Sequence, residues 1–210
     1  MKIDFIEKEN IFNMLKEDFN CSLKGYSFHD LFIEAGLCEK GYSYENGAAK
    51  YCIFHERFGD FVVKFTIEDF DYCEREYTNY LAAVGAGLDY FFPYTDFLGE
   101  INGVKFFIQE YADCDNEAIS SIWYDTLRED YVSEEDEDED IINEKIWDMI
   151  YDLEDDQRAL YCFGNEEKLF DFLDKYCIND LHEGNFGYIG DRLVIIDFSG
   201  FGQRVREREF

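Results

Sequence analysis

Apolar positions in the first nineteen residues fall at Ile3, Ile6, Ile11, Leu15 and Phe19, a loosely helical spacing. Ser27 is placed to cap a second short helix, with Leu31, Phe32 and Leu37 on one face and Gly36 near its end. The grammar then changes. Lys50–Phe54 and Phe61–Ile67 are β-rich runs joined through Arg57-Phe58-Gly59-Asp60, which reads as a hairpin. Tyr72–Val84 returns to a helical period. Tyr94–Glu100 and Val104–Tyr111 are again strand-like and are linked by Ile101-Asn102-Gly103. An Asn-Gly pair between apolar runs predicts a tight hairpin, because both residues tolerate positive φ. The first half therefore reads strand, strand, strand, helix, strand, strand.

The second half is mainly helical, over roughly 115–127, 142–161 and 165–177. Glu134–Asp140 is a run of seven acids that repel one another, which predicts a mobile loop. A last hairpin follows, Asn185–Tyr188 and Leu193–Asp197, turning at Gly190-Asp191. The single proline, Pro93, interrupts none of these elements, and no internal repeat is evident.

Charge changes this picture most. The 210 residues carry 49 acids against 19 Lys and Arg, a net charge of −30. Such a surface repels nucleic acid and anionic membranes, whose binding depends on cations that neutralise phosphate. Solubility is the plain reading of the charge. Mimicry of a nucleic acid, or capture of a basic protein partner, is the sharper one. With 47% hydrophobic and 19% aromatic residues the chain nevertheless holds ample material for a core.

Seven cysteines, an odd number with no CxxC pair, exclude a complete disulfide framework and give no metal-site spacing. Most lie in apolar runs, where a free Cys behaves as a small buried hydrophobe. His29 and His55 are isolated and read as surface or core residues rather than ligands. The opening MKIDFIEKEN has no apolar signal segment, and no run approaches the roughly 18 residues that span a bilayer. The expectation is a reduced, cytoplasmic protein.

Chemistry concentrates in residues 179–200. Asp180 and Asn185 stand five apart in a polar loop ahead of the last hairpin, and Asp197 follows its buried Val194-Ile195-Ile196 run. Two carboxylates and an amide are thereby delivered to one edge of one small sheet. Phosphoryl transfer needs such a set: one carboxylate to orient a hydroxyl and accept its proton, an amide and a second carboxylate to hold Mg2+. An acidic turn in an ordinary hairpin would use the same residue types.

Asp180-Leu-His-Glu-Gly-Asn185 resembles the catalytic loop of the protein-kinase-like superfamily, and Val194-Ile-Ile-Asp197-Phe-Ser-Gly200 resembles its metal-binding strand and turn. The form is closest to small-molecule and atypical kinases such as aminoglycoside phosphotransferases. The resemblance implies Asp180 as catalytic base, Asn185 and Asp197 as magnesium ligands, and a structural or substrate-side role for His182. Phe61-Val-Val-Lys64-Phe65 resembles the strand whose lysine contacts the α- and β-phosphates of ATP. In the helix that follows, Cys73, Tyr77, Tyr80, Leu81, Val84 and Leu88 form one face by periodicity, with Glu74 at its margin and Glu76 further round. Glu74 is accordingly the first choice for the ion-pair partner of Lys64, and Glu76 the second. Phe106–Ala112 resembles the strand and hinge at which the Glu110 carbonyl and the Ala112 amide face adenine. Gly41-Tyr-Ser-Tyr-Glu-Asn-Gly47-Ala-Ala lies where the phosphate-covering loop is expected but lacks the GxGxxG pattern. Gly47, Ser43 and Asn46 offer backbone N–H groups to phosphate there, and a plain Asn-Gly turn accounts for them equally.

Two departures stand out. Ile178-Asn179 replaces the His-Arg that precedes the catalytic Asp in typical protein kinases, which implies no phosphate-read activation loop. Only ten residues follow Gly200, too few for an activation segment and peptide platform. Acceptor docking is therefore expected on the 113–165 region, the acidic loop or a partner chain. Arg204, Arg206 and Arg208 either offset repulsion of incoming ATP or pair with the acidic surface.

The resemblance covers roughly residues 36–200. It implies an α+β, two-lobed, kinase-like fold: a helical extension over 1–35, a five-stranded antiparallel sheet lobe over 36–111 and a reduced helical lobe over 112–210. The expected function is an ATP-dependent phosphotransferase using Mg-ATP on a hydroxyl of a protein or small molecule. A catalytically silent binding or decoy protein for a basic partner, and a kinase-fold AMP transferase, are the alternatives.

Overall fold

A computed structural model of the chain describes residues 2–19, 29, 32–33, 36–46, 50–66, 71–114, 166–178, 185–190 and 192–200. The chain divides into two compact units, 1–82 with 93–111 and 83–92 with 112–210.

The first unit is built on a five-stranded antiparallel sheet. Its strands are β1 (Ser43–Asn46), β2 (Tyr51–Phe54), β3 (Phe61–Phe65), β4 (Thr95–Ile101) and β5 (Val104–Glu110), in the order β1-β2-β3-β5-β4. Helix α1 (Phe5–Asp18) precedes them, and α2 (Tyr72–Ala86) lies in sequence between β3 and β4. This is the α+β class with the expected five-stranded sheet; β2, β3, α2, β4 and β5 fall where the apolar pattern predicts them, whereas β1 occupies Ser43–Asn46, where the sequence predicts part of a phosphate-covering loop.

Turn chemistry fixes the hairpins. Asn102 and Gly103 both take positive φ, 52° and 80°, the pair of left-handed residues that a two-residue hairpin turn requires. Between β2 and β3 the chain makes a 3-10 turn, Glu56–Phe58, and leaves it at Gly59 with φ 58°. His55 caps that turn: its Nδ1 accepts from the Arg57 amide at 2.9 Å while its Nε2 faces the Lys40 carbonyl at 3.1 Å.

Helix α1 starts at Asp4, whose carboxylate accepts from the Glu7 amide at 2.8 Å. Ile3, Ile11, Leu15 and Phe19 are buried as their spacing predicts, whereas Ile6 is 70% exposed. The helix covers one face of the sheet, in a cluster with Ile53, Val63, Phe65, Phe106 and Ile108. Phe19 sits edge-on to Tyr42, Phe65 and Phe106, with ring centroids 6.1, 6.0 and 5.6 Å away. Contact with β4 is close enough that a Cβ on Gly99 would lie 2.1 Å from the Phe12 ring. The segment expected to be an N-terminal extension is thus part of the first unit's core. Phe32 and Leu37 join the same cluster; Ser27 and Leu31 lie outside the described residues.

In the second unit, α3 (Glu166–Tyr176) is followed by the antiparallel hairpin β6 (Phe186–Ile189) and β7 (Arg192–Ile195). Phe92 packs on Phe172 and Phe198, at 5.6 and 4.9 Å between centroids. The predicted helices at 115–127 and 142–161, the acidic run 134–140 and the Arg-rich tail lie outside the described residues. Of the five described cysteines only Cys73 is buried; Cys38 and Cys114 are exposed, and Cys52 and Cys177 are intermediate. The expectation that most are buried hydrophobes therefore holds for one. Among the described residues no helix is long and apolar enough to cross a membrane.

Candidate functional site

Each unit carries one group of the residues singled out from the sequence. In the first unit Lys64 lies on β3, in the register opposite Cys52 of β2 and Phe107 of β5. Helix α2 covers this face of the sheet, with the Tyr77 ring 5.9 Å from that of Phe107. The Lys64 ammonium stands 3.4 Å from Glu76 Oε2, and the two side chains are 12% and 1% exposed.

The partner of Lys64 is thus Glu76, and the first choice, Glu74, is corrected. Glu74 pairs instead with Lys105 at 2.6 Å on the open surface, 47% and 45% exposed. The cause is the phase of the helix. Cys73, Glu76, Tyr80 and Ala83 form the buried stripe of α2, while Leu81 and Val84 are 51% and 41% exposed. A periodicity count that takes Leu81 and Val84 into the buried face rotates the helix away from the stripe that contains Glu76.

Sequence reasoning missed a third member of this group. Lys50, immediately before β2, donates to Glu76 Oε1 at 2.6 Å with its side chain 11% exposed. The carboxylate is therefore held by an ammonium at each oxygen. Lys50 and Cys52 share a side of β2 by the two-residue alternation, and Cys52 is opposite Lys64. That parity is the one signal that could have placed both lysines on one face.

The remaining first-unit candidates are dispersed. Ser43 and Asn46 are the first and last residues of β1, paired in register with Phe54 and Tyr51. Gly47 lies outside the described residues. Glu110 ends β5, 4% exposed; its amide donates to the Tyr94 carbonyl at 2.8 Å, and its carboxylate accepts from the Tyr94 amide at 3.4 Å. Ala112, which opens the second unit's share of the chain, is buried, and its carbonyl accepts from the Cys114 thiol at 3.4 Å.

In the second unit the hairpin β6–β7 positions Asn185 and Asp197. The Ile196 amide donates to the Asn185 carbonyl at 2.8 Å, so the residue entering β6 and the residue after Ile196 meet at the same end of the hairpin. Asn185 is 6% exposed. Asp197 is half-buried and accepts from the Ser199 hydroxyl at 3.2 Å. Gly200, at φ 77°, lies so close to the end of α3 that a Cβ there would be 2.6 Å from the Tyr176 carbonyl oxygen. Cys177 takes φ 53°, the left-handed turn usual for glycine, and the Ile178 amide returns to the Leu173 carbonyl at 2.8 Å. The Asp197–Gly200 turn is thereby packed against the Tyr176 and Cys177 backbone. Asp180 and His182 lie outside the described residues. A Cβ on Gly187 would lie 2.7 Å from the Ala112 side chain, and the Asp113 and Tyr188 backbones exchange bonds of 2.8 and 2.9 Å. Burial pushes the Tyr188 phenol above its ordinary range.

No family model, curated protein or solved structure matches this chain.

Proposed function

We propose that the protein binds Mg-ATP and transfers the terminal phosphoryl group to a hydroxyl acceptor. The observation that carries this reading is the Lys64–Glu76 ion pair, 3.4 Å long with side chains 12% and 1% exposed. A strand lysine fixed by a helix carboxylate is what the kinase-like resemblance implies for the group that meets the α- and β-phosphates. A buried ion pair seldom repays its desolvation in stability, so its retention calls for another use. The sheet beneath it has the five antiparallel strands, with a helix after the third, that the same resemblance implies.

In the second unit the donor set suits magnesium: an amide and a carboxylate are hard oxygen ligands, and Mg2+ takes few of these from protein, with water and phosphate oxygens completing the octahedron. When bound, the ion would neutralise charge on the phosphates. Asn185 and Asp197 would hold it, and the Ser199 hydroxyl orients the Asp197 carboxylate. Lys64 would hold the phosphates, with Glu76 fixing its ammonium. Proton acceptance from the acceptor hydroxyl falls to Asp180 by resemblance.

Calorimetric titration of Mg-ATP into the wild type and Asp197→Ala tests the proposal. The expected result is magnesium-dependent binding to the wild type that is lost in the variant. Folded wild-type protein that takes up no Mg-ATP would overturn it. The net charge of −30 supports a second reading, a silent binding protein for a basic partner. ATP binding without turnover under any acceptor mixture would favour that reading. Transfer of label from α- rather than γ-labelled ATP would point to an AMP transferase.

A further inference from the structure

We propose that Gln109 is a specificity-determining residue whose side-chain amide oxygen accepts a hydrogen bond from the exocyclic amine of the bound base. The inference deepens the Mg-ATP reading and rests on it for the identity of the base.

Gln109 is the penultimate residue of β5, 2% exposed and in register between Val62 of β3 and Thr95 of β4. Its Nε2 donates to the Thr95 hydroxyl at 3.1 Å, and that hydroxyl donates to the Pro93 carbonyl at 3.1 Å. This chain of bonds has a fixed sense. A carbonyl can only accept, so the single Thr95 proton goes to Pro93. The Thr95 oxygen then has only lone pairs for Gln109, and the amide must turn its nitrogen toward them. The amide oxygen is thereby directed away from Thr95, and among the described residues no group donates to it. An acceptor buried this deeply costs free energy until a donor meets it. Methionine would fill nearly the same volume without that cost, so the amide calls for a use beyond packing.

Position supports a ligand as the donor. Gln109 faces Val62 in register and Phe107 faces Lys64, so Gln109 and Lys64 share the α2-facing side of the sheet. Diagonal neighbours of this kind stand about 7–8 Å apart, within the span of one nucleotide. The chemistry of the donor follows from the acceptor. Adenine offers an N–H at its exocyclic amine. Hypoxanthine, with a carbonyl at that position, would set two acceptors against each other away from water. A site built to bond a donor rejects the analogue that lacks it far more strongly than an apolar pocket does.

The test compares the wild type, Gln109→Met and Thr95→Val by calorimetry with Mg-ATP and Mg-ITP, the inosine nucleotide. The wild type should bind Mg-ATP at least tenfold more tightly than Mg-ITP. In Gln109→Met that preference should fall to within threefold, through weaker binding of Mg-ATP. Thr95→Val keeps the amide but removes the hydroxyl that orients it, so an N–H can turn to the inosine carbonyl. There Mg-ITP should gain on Mg-ATP by at least threefold. Thermal melting of the ligand-free proteins is a second readout: Gln109→Met should melt no lower than the wild type, because an apolar group replaces an acceptor without a donor. A folded Gln109→Met with a preference within twofold of the wild type's would overturn the assignment and leave the Mg-ATP reading standing, as would a wild type that binds both nucleotides equally. If Gln109→Met does not fold, an unchanged preference in Thr95→Val overturns it instead. Folded wild type that binds neither nucleotide would sink the Mg-ATP reading, and this assignment with it.

Discussion

The two faces of the first unit's sheet are built on opposite principles. On one, Val63, Phe65, Phe106 and Ile108 meet the apolar side of α1, and Phe19 closes the contact with three edge-on rings. On the other, the same strands present Lys64, Phe107 and Gln109 to α2, whose buried stripe includes Glu76. Gln109 there donates to the Thr95 hydroxyl at 3.1 Å. The first face needs only volume and apolarity, which many sequences would supply. The second demands that each charge find its counterpart, because a desolvated ion left alone costs several kcal/mol.

That contrast can be broken by mutation, and the largest effects come first. Phe19→Ala should lower stability by about 3–5 kcal/mol, the range for removing a fully buried aromatic side chain. Glu76→Ala should cost a similar amount, about 3–5 kcal/mol, because two ammoniums lose their carboxylate. The faces then part company. A triple variant, Lys50→Met with Lys64→Met and Glu76→Leu, should regain most of the stability lost by Glu76→Ala, since apolar groups of similar size replace buried ions at little net cost. It should bind no Mg-ATP. Urea midpoints measure the stabilities; a triple variant as weak as Glu76→Ala would show that the charges hold the fold itself.

A smaller effect separates burial from charge on the first face. Tyr42 is buried and donates to Asp18 Oδ2 at 2.8 Å, and its phenol is pushed far above its ordinary value, first by burial and then by the bond to Asp18 and that carboxylate's charge. Raised in the folded state, the group keeps its proton while the unfolded chain ionises above about pH 10. The stability it contributes is whole below that pH and is lost progressively as pH rises through the folded value. Tyr42→Phe should cost about 1 kcal/mol at neutral pH, the net worth of one hydrogen bond. Its stability should fall less steeply than the wild type's in alkali. Some slope remains, since burial and Asp96 push Tyr94 the same way. Denaturation series at neutral pH and above pH 10 would show parallel declines if Tyr42 carried none of the effect.

Local chemistry was the legible part of this molecule. Asn102-Gly103 announces its turn because the backbone angles are a property of those two residues. Strands β2 to β5, both flanking helices and the last hairpin follow from alternation and period, whereas β1 occupies the stretch read as a phosphate-covering loop or plain turn. What pairs with what across the fold was hidden. Lys50 and Glu76 are 26 positions apart, and neither differs in sequence from a solvated surface residue. Periodicity also told that α1 buries one side without telling what it covers, so its place against β4 and β5 came only with the structure. For Asn185 and Asp197 the motif spacing and the hairpin agree on one end of one small sheet, while their roles, like those of Asp180 and Gly47, still rest on resemblance.

The smallest expected effect sharpens the comparison most directly, because it sits two residues along the helix from one of the largest. Glu74 and Glu76 occupy the same turn of α2, and each has a lysine at 2.6 Å, Lys105 and Lys50 respectively. Distance alone would rank them equal. Exposure does not: the Glu74 pair is 47% and 45% exposed, the Glu76 pair 1% and 11%. Water and salt screen the former and are largely excluded from the latter, so Glu74→Ala should cost no more than about 1 kcal/mol and less as salt is added. Mg-ATP affinity should stay within twofold of wild type. A loss of affinity approaching that of Glu76→Ala would mean that Glu74 exchanges onto Lys64 when the site is filled, and the assignment of Glu76 as the fixed partner would have to be withdrawn.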